Sequence, residues 1–547
     1  MPAADVGAAV PAGEAAGTPR WYPAALTALI AGAVLLRLFY WGYTGRTWED
    51  ALISALHSEN AAHGLGLTHV KPGEPPLHGF TSPLSVLIPL AGEWIAPGFG
   101  LPLLKLLSAI LGGVAAWLGA RLCLELRLPH VLALAAAAYL GFEYHQILWG
   151  MAGMETQVTT VAYLWSIWCL LRGTQLQKGV SLGLVMLARP DAAFWVAMAL
   201  AIEFRRAWRQ GDSRRLGPVL AGLLGLYVPW LAFTFLYYGS PVPNTIVAKS
   251  LGYSSVFAQL SRVSALAKAV WIERRFTAVF ASLGPSYDGN GTGFLPGWDQ
   301  YLISRLAVLL MLPGAAAAIR KRHAGALLIY AFVAVYGLYL TFLVNFLFGW
   351  YTAPITAVAV IGSAYGFWRF TEPFLASSMR PRLAAAASAA YIAAIAANLP
   401  AAIRSDKYIQ LYVENEGRAA IGRFIASVSR PADTIGSESL GYVAYYSHRP
   451  VYDYPGMCSR RVVEYLRTHP RERSLVEMMD HLRPTFLVLR PREYVTSDGR
   501  LRYPWIGRDY ELLRTFRVSE DKRARILHPE ASVDLEFTVW RARTAQR

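Results

Sequence analysis

The chain has 547 residues, 54% of them hydrophobic and 16% charged, with a mean hydropathy of +0.32. That balance excludes an ordinary soluble globular protein of this length. The formal net charge of +16 would suit nucleic acid, but much of it lies in short basic clusters between apolar runs, as in cytoplasmic loops, so no nucleic-acid partner is expected and a lipid bilayer is. The 17 Trp, 29 Tyr and 23 Phe suit two membrane–water interfaces. Cys123 and Cys169 fall in apolar runs and Cys458 stands alone in the polar C-terminal part, so neither a disulfide framework nor a CxxC metal site can be built.

Residues 1–20 are rich in Ala, Gly and Pro and are expected to be a disordered tail. Arg20 comes late and the next apolar run continues to about Tyr43, so that run reads as an uncleaved first span and not as a signal peptide. Further candidate spans are 101–121, 130–148, 155–171, 179–190, 192–204, 216–238, 300–318, 324–346, 352–370 and 383–400. The expected fold class is a polytopic α-helical membrane protein of about eleven spans. The pair 179–190 and 192–204 is either two short spans meeting at Arg189-Pro190-Asp191 or one broken helix.

The basic clusters Arg121/Arg127, Arg172/Lys178, Arg205–Arg215, Arg320–Arg322 and Arg380/Arg382 all become cytoplasmic if the N-terminus is cytoplasmic. Segment 82–97, interrupted by Pro83, Pro89 and Glu93, must then lie along the outer interface. The loop 239–298 carries five basic residues on the outer side, which strains the rule, although long loops obey it weakly. Residues 401–547 change to a polar α/β pattern, with strands at ADTIGSE, RPVYDYP, RPTFLVLRP and VDLEFTVWRA and a helix at SLGYVAYYS. The organisation is thus a tail (1–20), a membrane domain (21–400) with a polar first outer loop (44–100), and an extracytoplasmic α/β domain (401–547). The glycine-rich Gly289–Phe294 has neither the strand nor the helix of a phosphate loop and reads as a turn.

Chemistry-bearing residues concentrate at the mouths of these spans. Glu49 and Asp50 follow the first span: adjacent carboxylates there suit a general base or a divalent-cation site, and equally suit a helix N-terminus capped by Thr47. His57, His63, His69 and His78 lack metal-ligand spacing and read as lining or surface residues. In the turn-rich KPGEPPLHGFTSPLS, Glu74 or His78 would face a cavity if the turn is more than structural. Arg189 suits a phosphate, or pairs with Asp191 to close a helix end. In YYGSPVPNTIVAK, Lys249 suits a phosphate and Asn244 a sugar hydroxyl, against an interfacial tyrosine belt with a snorkelling lysine. Glu143 and Glu155 sit at span mouths as second cavity acids or helix-end polarity. Arg37, inside the first span, snorkels or meets a lipid phosphate.

These motifs in this order resemble the GT-C class of integral-membrane glycosyltransferases, which use polyprenyl-phosphate-linked sugars. WEDALIS, HGLGL followed by KPGE, GFTSPLS, GMET, ARPDA, YYGSPVPNTIVAK and GYVAYYSHRPVYDYPGM are most similar to the arabinofuranosyltransferases of mycobacterial arabinogalactan and lipoarabinomannan and their relatives. The sequence departs from them at GEPPLHGFTSPLS and at Tyr351 in GWYTAP, where many relatives place an arginine before the tyrosine or leucine. The resemblance implies a GT-C fold, Asp50 as catalytic base or as the residue orienting the acceptor, with Glu49 supporting, and Arg189 and Lys249 at the donor phosphate. Asn244, Glu155, His78 and Tyr351 would be substrate-binding. Asp50 and Glu49 would hold a Mg or Mn ion in those members that need one. The partners implied are a polyprenyl-phosphate-linked sugar, with arabinofuranose as one candidate, and a cell-envelope glycan or glycolipid acceptor. The location implied is the outer face of a bacterial cytoplasmic membrane. A transporter or flippase for a lipid-linked sugar is the competing reading; it would favour charges spread along several spans and repeat symmetry, neither of which stands out.

Overall fold

The computed structural model describes residues 18–69, 75–261, 264–285, 300–469, 474–526 and 533–543. Glu74, most of the N-terminal tail and the Gly289–Phe294 turn lie outside these residues. The helices in the first half of the chain are α1 (Trp21–Thr44), α2 (Glu49–Ala62), α3 (Leu84–Ile95), α4 (Gly100–Glu125), α5 (His130–Phe142), α6 (Tyr144–Met151), α7 (Thr156–Arg172), α8 (Gln175–Ala188), α9 (Ala193–Gln210) and α10 (Leu216–Tyr238). They are followed by α11 (Asn244–Gly252), α12 (Val256–Leu260), α13 (Ala265–Val279), α14 (Gln300–Arg320), α15 (Ala324–Phe342), α16 (Thr352–Phe370) and α17 (Arg380–Tyr408).

Each expected span falls on one of these helices except 130–148, which is divided between α5 and α6. Among the described residues, six helical stretches are long and apolar enough to cross a membrane, and the pair α5–α6, bent by 44°, makes a seventh. The chain is therefore a multi-pass membrane protein. The other expected spans, α7, α8, α9 and α16, are shorter or less apolar, and α16 is buried along most of its length inside the bundle. At about 1.5 Å per residue, neither α8 nor α9 has the length and composition of an independent span. They form the broken element, interrupted by a single 3-10 turn at Pro190–Ala192. Gly179 and Gly222 bring α8 and α10 together backbone to backbone, since a Cβ on Gly222 would lie 2.6 Å from the Val180 nitrogen.

The bend between α5 and α6 explains Arg37, which neither snorkels nor reaches lipid. Its guanidinium is fully buried and donates to the carbonyls of Gly141 (2.6 Å) and Leu140 (2.9 Å), two of the carbonyls freed where α5 ends. Arg37→Met leaves those carbonyls unpaired in an apolar interior, and we expect it to cost about 3 kcal/mol, read as a lowered thermal midpoint of the purified protein in detergent.

The helix α17 does not stop at the expected domain boundary near residue 400. It continues through a π-helical segment, Ile409–Ala419, into α18 (Ala420–Val428). The α/β unit follows: β1 (Ile435–Ser437), α19 (Leu440–Ser447), β2 (Val451–Tyr452), α20 (Arg460–Thr468), α21 (Leu475–Leu482), β3 (Phe486–Leu489), β4 (Tyr510–Arg517) and β5 (Glu536–Ala542). Its sheet has the order β2-β1-β3-β5-β4. β1 pairs parallel with β2 and β3, and β5 pairs antiparallel with β3 and β4. The four expected strands and the helix at SLGYVAYYS are present; β4, an exposed edge strand, is the addition.

Candidate active site

The helix ends carrying the basic clusters meet one another at one end of the bundle. Arg172 pairs with Glu125 at 2.7 Å, Lys321 with Glu372 at 3.0 Å, and Arg380 donates to the Trp368 carbonyl at 2.7 Å. The start of α1 is at that end too, with Tyr22 against His130 at 4.5 Å between rings. The candidate site gathers at the opposite helix ends: the beginning of α2, the α6–α7 junction, the break after α8, and the start of α16, closed over by α11.

The start of α2 is fixed by its surroundings and not by Thr47. Trp48 takes the N-cap position with extended backbone and no side-chain cap. Its N–H donates to the Ala152 carbonyl at 2.9 Å, and its ring packs edge-on against Trp149 at 4.8 Å. Glu49 and Asp50 then occupy the first helical turn, where the helix dipole favours anions. Successive residues diverge by about 100° around a helix, so the two carboxylates face different surroundings.

Asp50 faces a cavity. Among the described residues its carboxylate makes no hydrogen bond or ion pair, and it lines a polar chamber of ≈ 60 Å³ with Glu155, Arg189, Lys249, Tyr351 and the hydroxyls of Ser54, Thr81, Ser82, Ser85 and Thr245. Burial raises its pKa above the usual carboxylate value; nearby Lys249 works against that shift. A second chamber of ≈ 220 Å³ adjoins the first and shares Arg189, Lys249 and Tyr351 with it. Its wall is largely aromatic and aliphatic, from Tyr253, Tyr339, Leu343, Val344, Phe346 and Phe348.

The two cations between the chambers differ. The Arg189 guanidinium is bound by both Asp191 oxygens, at 2.9 and 3.2 Å, and by Glu155 at 3.2 Å, and lies over the Tyr351 ring at 4.6 Å. It therefore closes the break with Asp191 while still lining both chambers. Lys249, on α11, has no carboxylate within ion-pair distance among the described residues. Its ammonium donates to the Tyr351 hydroxyl at 3.3 Å and lies 5.1 Å from the centre of the Phe348 ring. Burial opposes its charge, but Tyr351 and Asp50 more than offset this and hold its pKa above the ordinary lysine value.

Glu49 turns away from the chambers. It accepts from the Gly441 N–H at 3.2 Å and lies 3.4 Å from Arg418. Arg418 also binds Glu414 at 2.9 Å and Asp534 at 2.5 Å; Glu414 binds Arg46 at 2.9 Å, and Asp534 binds Arg490 at 2.6 Å. With Glu438 and Glu493 also bound to Arg490, five carboxylates share three arginines among the described residues, and Glu49 is among the less closely paired acids. Burial, only partly countered by Arg418, pushes its pKa up to about 8. A folded-state value above the usual 4.5 means that the protonated form fits the fold better, so this stabilisation is full below about 4.5 and is lost as pH rises toward 8. Glu49→Gln is therefore expected to flatten the fall of the thermal midpoint across that window. The adjacent acids do not converge as a chelate, and no group of three or more metal-ligating side chains gathers among the described residues.

Asn244 and His78 also lie off the chambers. Asn244 donates to the Gly456 and Met457 carbonyls at 2.8 and 2.9 Å. His78 is buried and stacks on Tyr238 at 4.7 Å; burial, and secondarily His57, lowers its pKa to about 3, so it is neutral. His57 and His69 are likewise buried. The site residues that the sequence left unassigned include the hydroxyl wall of Thr81, Ser82 and Ser85, Trp350 and Met457, together with the aromatic wall. The hydroxyls lie within GFTSPLS, whose run of small polar residues at a span mouth was a usable signal. The aromatic wall had none, because aromatic side chains near span ends are common at a membrane interface whether or not they line a cavity.

A family model described as "Domain of unknown function (DUF8728)" matches residues 403–536, from the end of α17 into the α/β unit. No curated protein matches the sequence. Among solved structures, the chain is similar to ArnT from Cupriavidus metallidurans in the apo state, at TM-score 0.54 and 12% identity over 95% of this chain and 98% of that one. The fold is that of the GT-C membrane glycosyltransferases. ArnT from the same organism bound to undecaprenyl phosphate is similar at TM-score 0.48 and 12% identity, over 95% and 99% of the two chains. The mycobacterial arabinofuranosyltransferase AftD is similar at TM-score 0.44 and 13% identity, over 97% of this chain and 40% of that one.

Proposed function

We propose that this GT-C-fold protein transfers a sugar from a polyprenyl-phosphate donor to a cell-envelope glycan or glycolipid, at the outer face of the bacterial cytoplasmic membrane. The observation that carries the reading is one cavity shared by a carboxylate, Asp50, and a cation, Lys249, neither of which has an ion-pair partner among the described residues, with an aromatic chamber alongside. The basic clusters at the far end of the bundle support a cytoplasmic N-terminus and an outward-facing site. The first isoprene units would occupy the aromatic chamber, and the phosphate would lie between Lys249, Arg189 and Tyr351. The acceptor hydroxyl attacks the anomeric carbon as the bond from that carbon to the phosphate oxygen breaks. Its proton passes to Asp50, and the electron pair leaves on polyprenyl phosphate, whose charge Lys249 offsets. Burial of the chambers limits water, the competing nucleophile.

The test is purified protein with a panel of polyprenyl-phosphate sugars, arabinofuranose first because of the sequence resemblance, and envelope glycan acceptors. Formation of a glycosidic product from one donor is the expected result. Movement of intact donor across vesicles without any product would instead establish the flippase reading.

A further inference from the structure

Building on the proposed transfer reaction, we infer that the outer unit is a spacing device, setting the separation of Asp50 from Lys249 by gripping α2 and α11 at the same time. Both grips come from one short stretch, α19–β2 and the loop 453–458 that follows.

The first grip is on the start of α2. The Gly441 N–H binds Glu49 at 3.2 Å, and the Tyr442 hydroxyl donates to the Thr47 carbonyl at 2.9 Å. Gly441 sits so close that a Cβ there would lie 2.7 Å from the Glu49 Cγ. Arg418 adds its contact with Glu49, at 3.4 Å, from the π-helical segment. The second grip is on α11. The Tyr454 hydroxyl donates to the Gly252 carbonyl at 2.6 Å, and Asn244 binds the Gly456 and Met457 carbonyls. That loop is stiffened from inside, because buried Asp453 accepts N–H bonds from Gly456 (3.2 Å), Met457 (2.6 Å) and Cys458 (3.0 Å).

Between the grips, β2 is held by its parallel pairing to β1, so the piece spanning them is anchored in the sheet. Asp50 follows Glu49 directly, and Lys249 lies between Asn244 and Gly252. Each reacting side chain is thus tied to the same rigid stretch by its own neighbours. From this unit only Met457 lines the polar chamber. Gly441, Arg418, Tyr454 and Asn244 are therefore positioning residues. A displacement of about 1 Å at a reacting group can cost about 100-fold in rate, which makes such a spacer consequential without any group of its own in the chemistry.

The experiment uses the full chain with a donor and acceptor that the wild type turns over, comparing Gly441→Ala, Tyr454→Phe and the double variant. Each single change is expected to lower kcat about tenfold, with donor KM within about threefold, and the double variant to lose less than the product of the two, since both relax one distance. Arg418→Lys should restore most of what Arg418→Met loses, which keeps the test open if Gly441→Ala does not fold. A second readout needs no substrate. Spin labels at His63→Cys and Ser250→Cys, both exposed positions on the ends of α2 and α11, should give a narrow distance distribution that broadens in Tyr454→Phe. Wild-type kcat in both single variants, fully multiplicative losses, or an unchanged label distribution overturns the inference. Failure of the wild type to transfer from any donor overturns the reaction reading instead, and the label distances still decide this one.

Discussion

Asp50→Asn is expected to lower kcat about 1,000-fold, the middle of the range that a positioned general base contributes, while donor KM and the thermal midpoint change little. The reason lies in what Asp50 does not do. It caps no backbone group and pairs with no cation within ion-pair distance among the described residues, so apart from a small helix-dipole contribution the amide removes proton-accepting ability and little else. Burial raises its pKa above the usual carboxylate value. A base must be ionised to accept the proton, so kcat should be full above that raised pKa and fall as pH drops through it. The acid limb of the wild-type profile is therefore expected above the ordinary aspartate range, and Asp50→Glu should keep a limb where Asp50→Asn has none. Full transfer by Asp50→Asn would remove the base assignment. Loss of transfer together with a large drop in thermal midpoint would mean that the carboxylate is structural.

The sequence was most informative where one residue type has one physical consequence. Apolar runs located the helices, and Arg189-Pro190-Asp191 marked a real break because a proline and two charges cannot sit inside an uninterrupted apolar helix. Asp50 and Lys249 were recognisable because a charge at a span mouth needs a reason. The adjacent acid pair was harder. Helical phase alone says that neighbours cannot share a wall, but which of the two faces the cavity depends on Gly441 and Arg418, almost 400 positions away. Arg37 raised the same difficulty in the membrane. Its partners are carbonyls exposed by a bend at Glu143, and nothing local to Arg37 announces a bend elsewhere. Asn244 was legible as important but not as a latch, since its partners are backbone carbonyls of a loop in another unit. The π-helical segment 409–419 left no mark in composition, because its irregularity lies in hydrogen bonding and not in residue type. His78 was misleading. A histidine in a polar, turn-rich segment looks like a cavity-lining residue, yet burial against Tyr238 and Phe80 makes it neutral packing.

Lys249→Met is expected to lower kcat by about 100- to 1,000-fold, the cost typical of removing one donor aimed at developing charge. Arg189 cannot substitute for it. With Asp191 and Glu155 both bound to its guanidinium, that group carries no net positive charge when both acids are ionised. Among the described residues, Lys249 has the Tyr351 hydroxyl as its hydrogen-bond partner and no carboxylate within ion-pair distance, so its charge is available to the phosphate oxygen as the anomeric bond breaks. Lys249→Arg keeps that charge and should retain more activity than Lys249→Met, whereas Arg189→Lys, which abandons the bidentate pairing with Asp191, should show a lower thermal midpoint as well as a lower rate. A second signature separates charge stabilisation from mere packing. Lys249 is the neighbour that pulls the Asp50 pKa down against burial, so removing it should move the acid limb of the kcat profile to higher pH. A methionine variant that slows the reaction but leaves the limb in place would mean that Lys249 and Asp50 do not share one electrostatic site, and the two-group mechanism would fail with it.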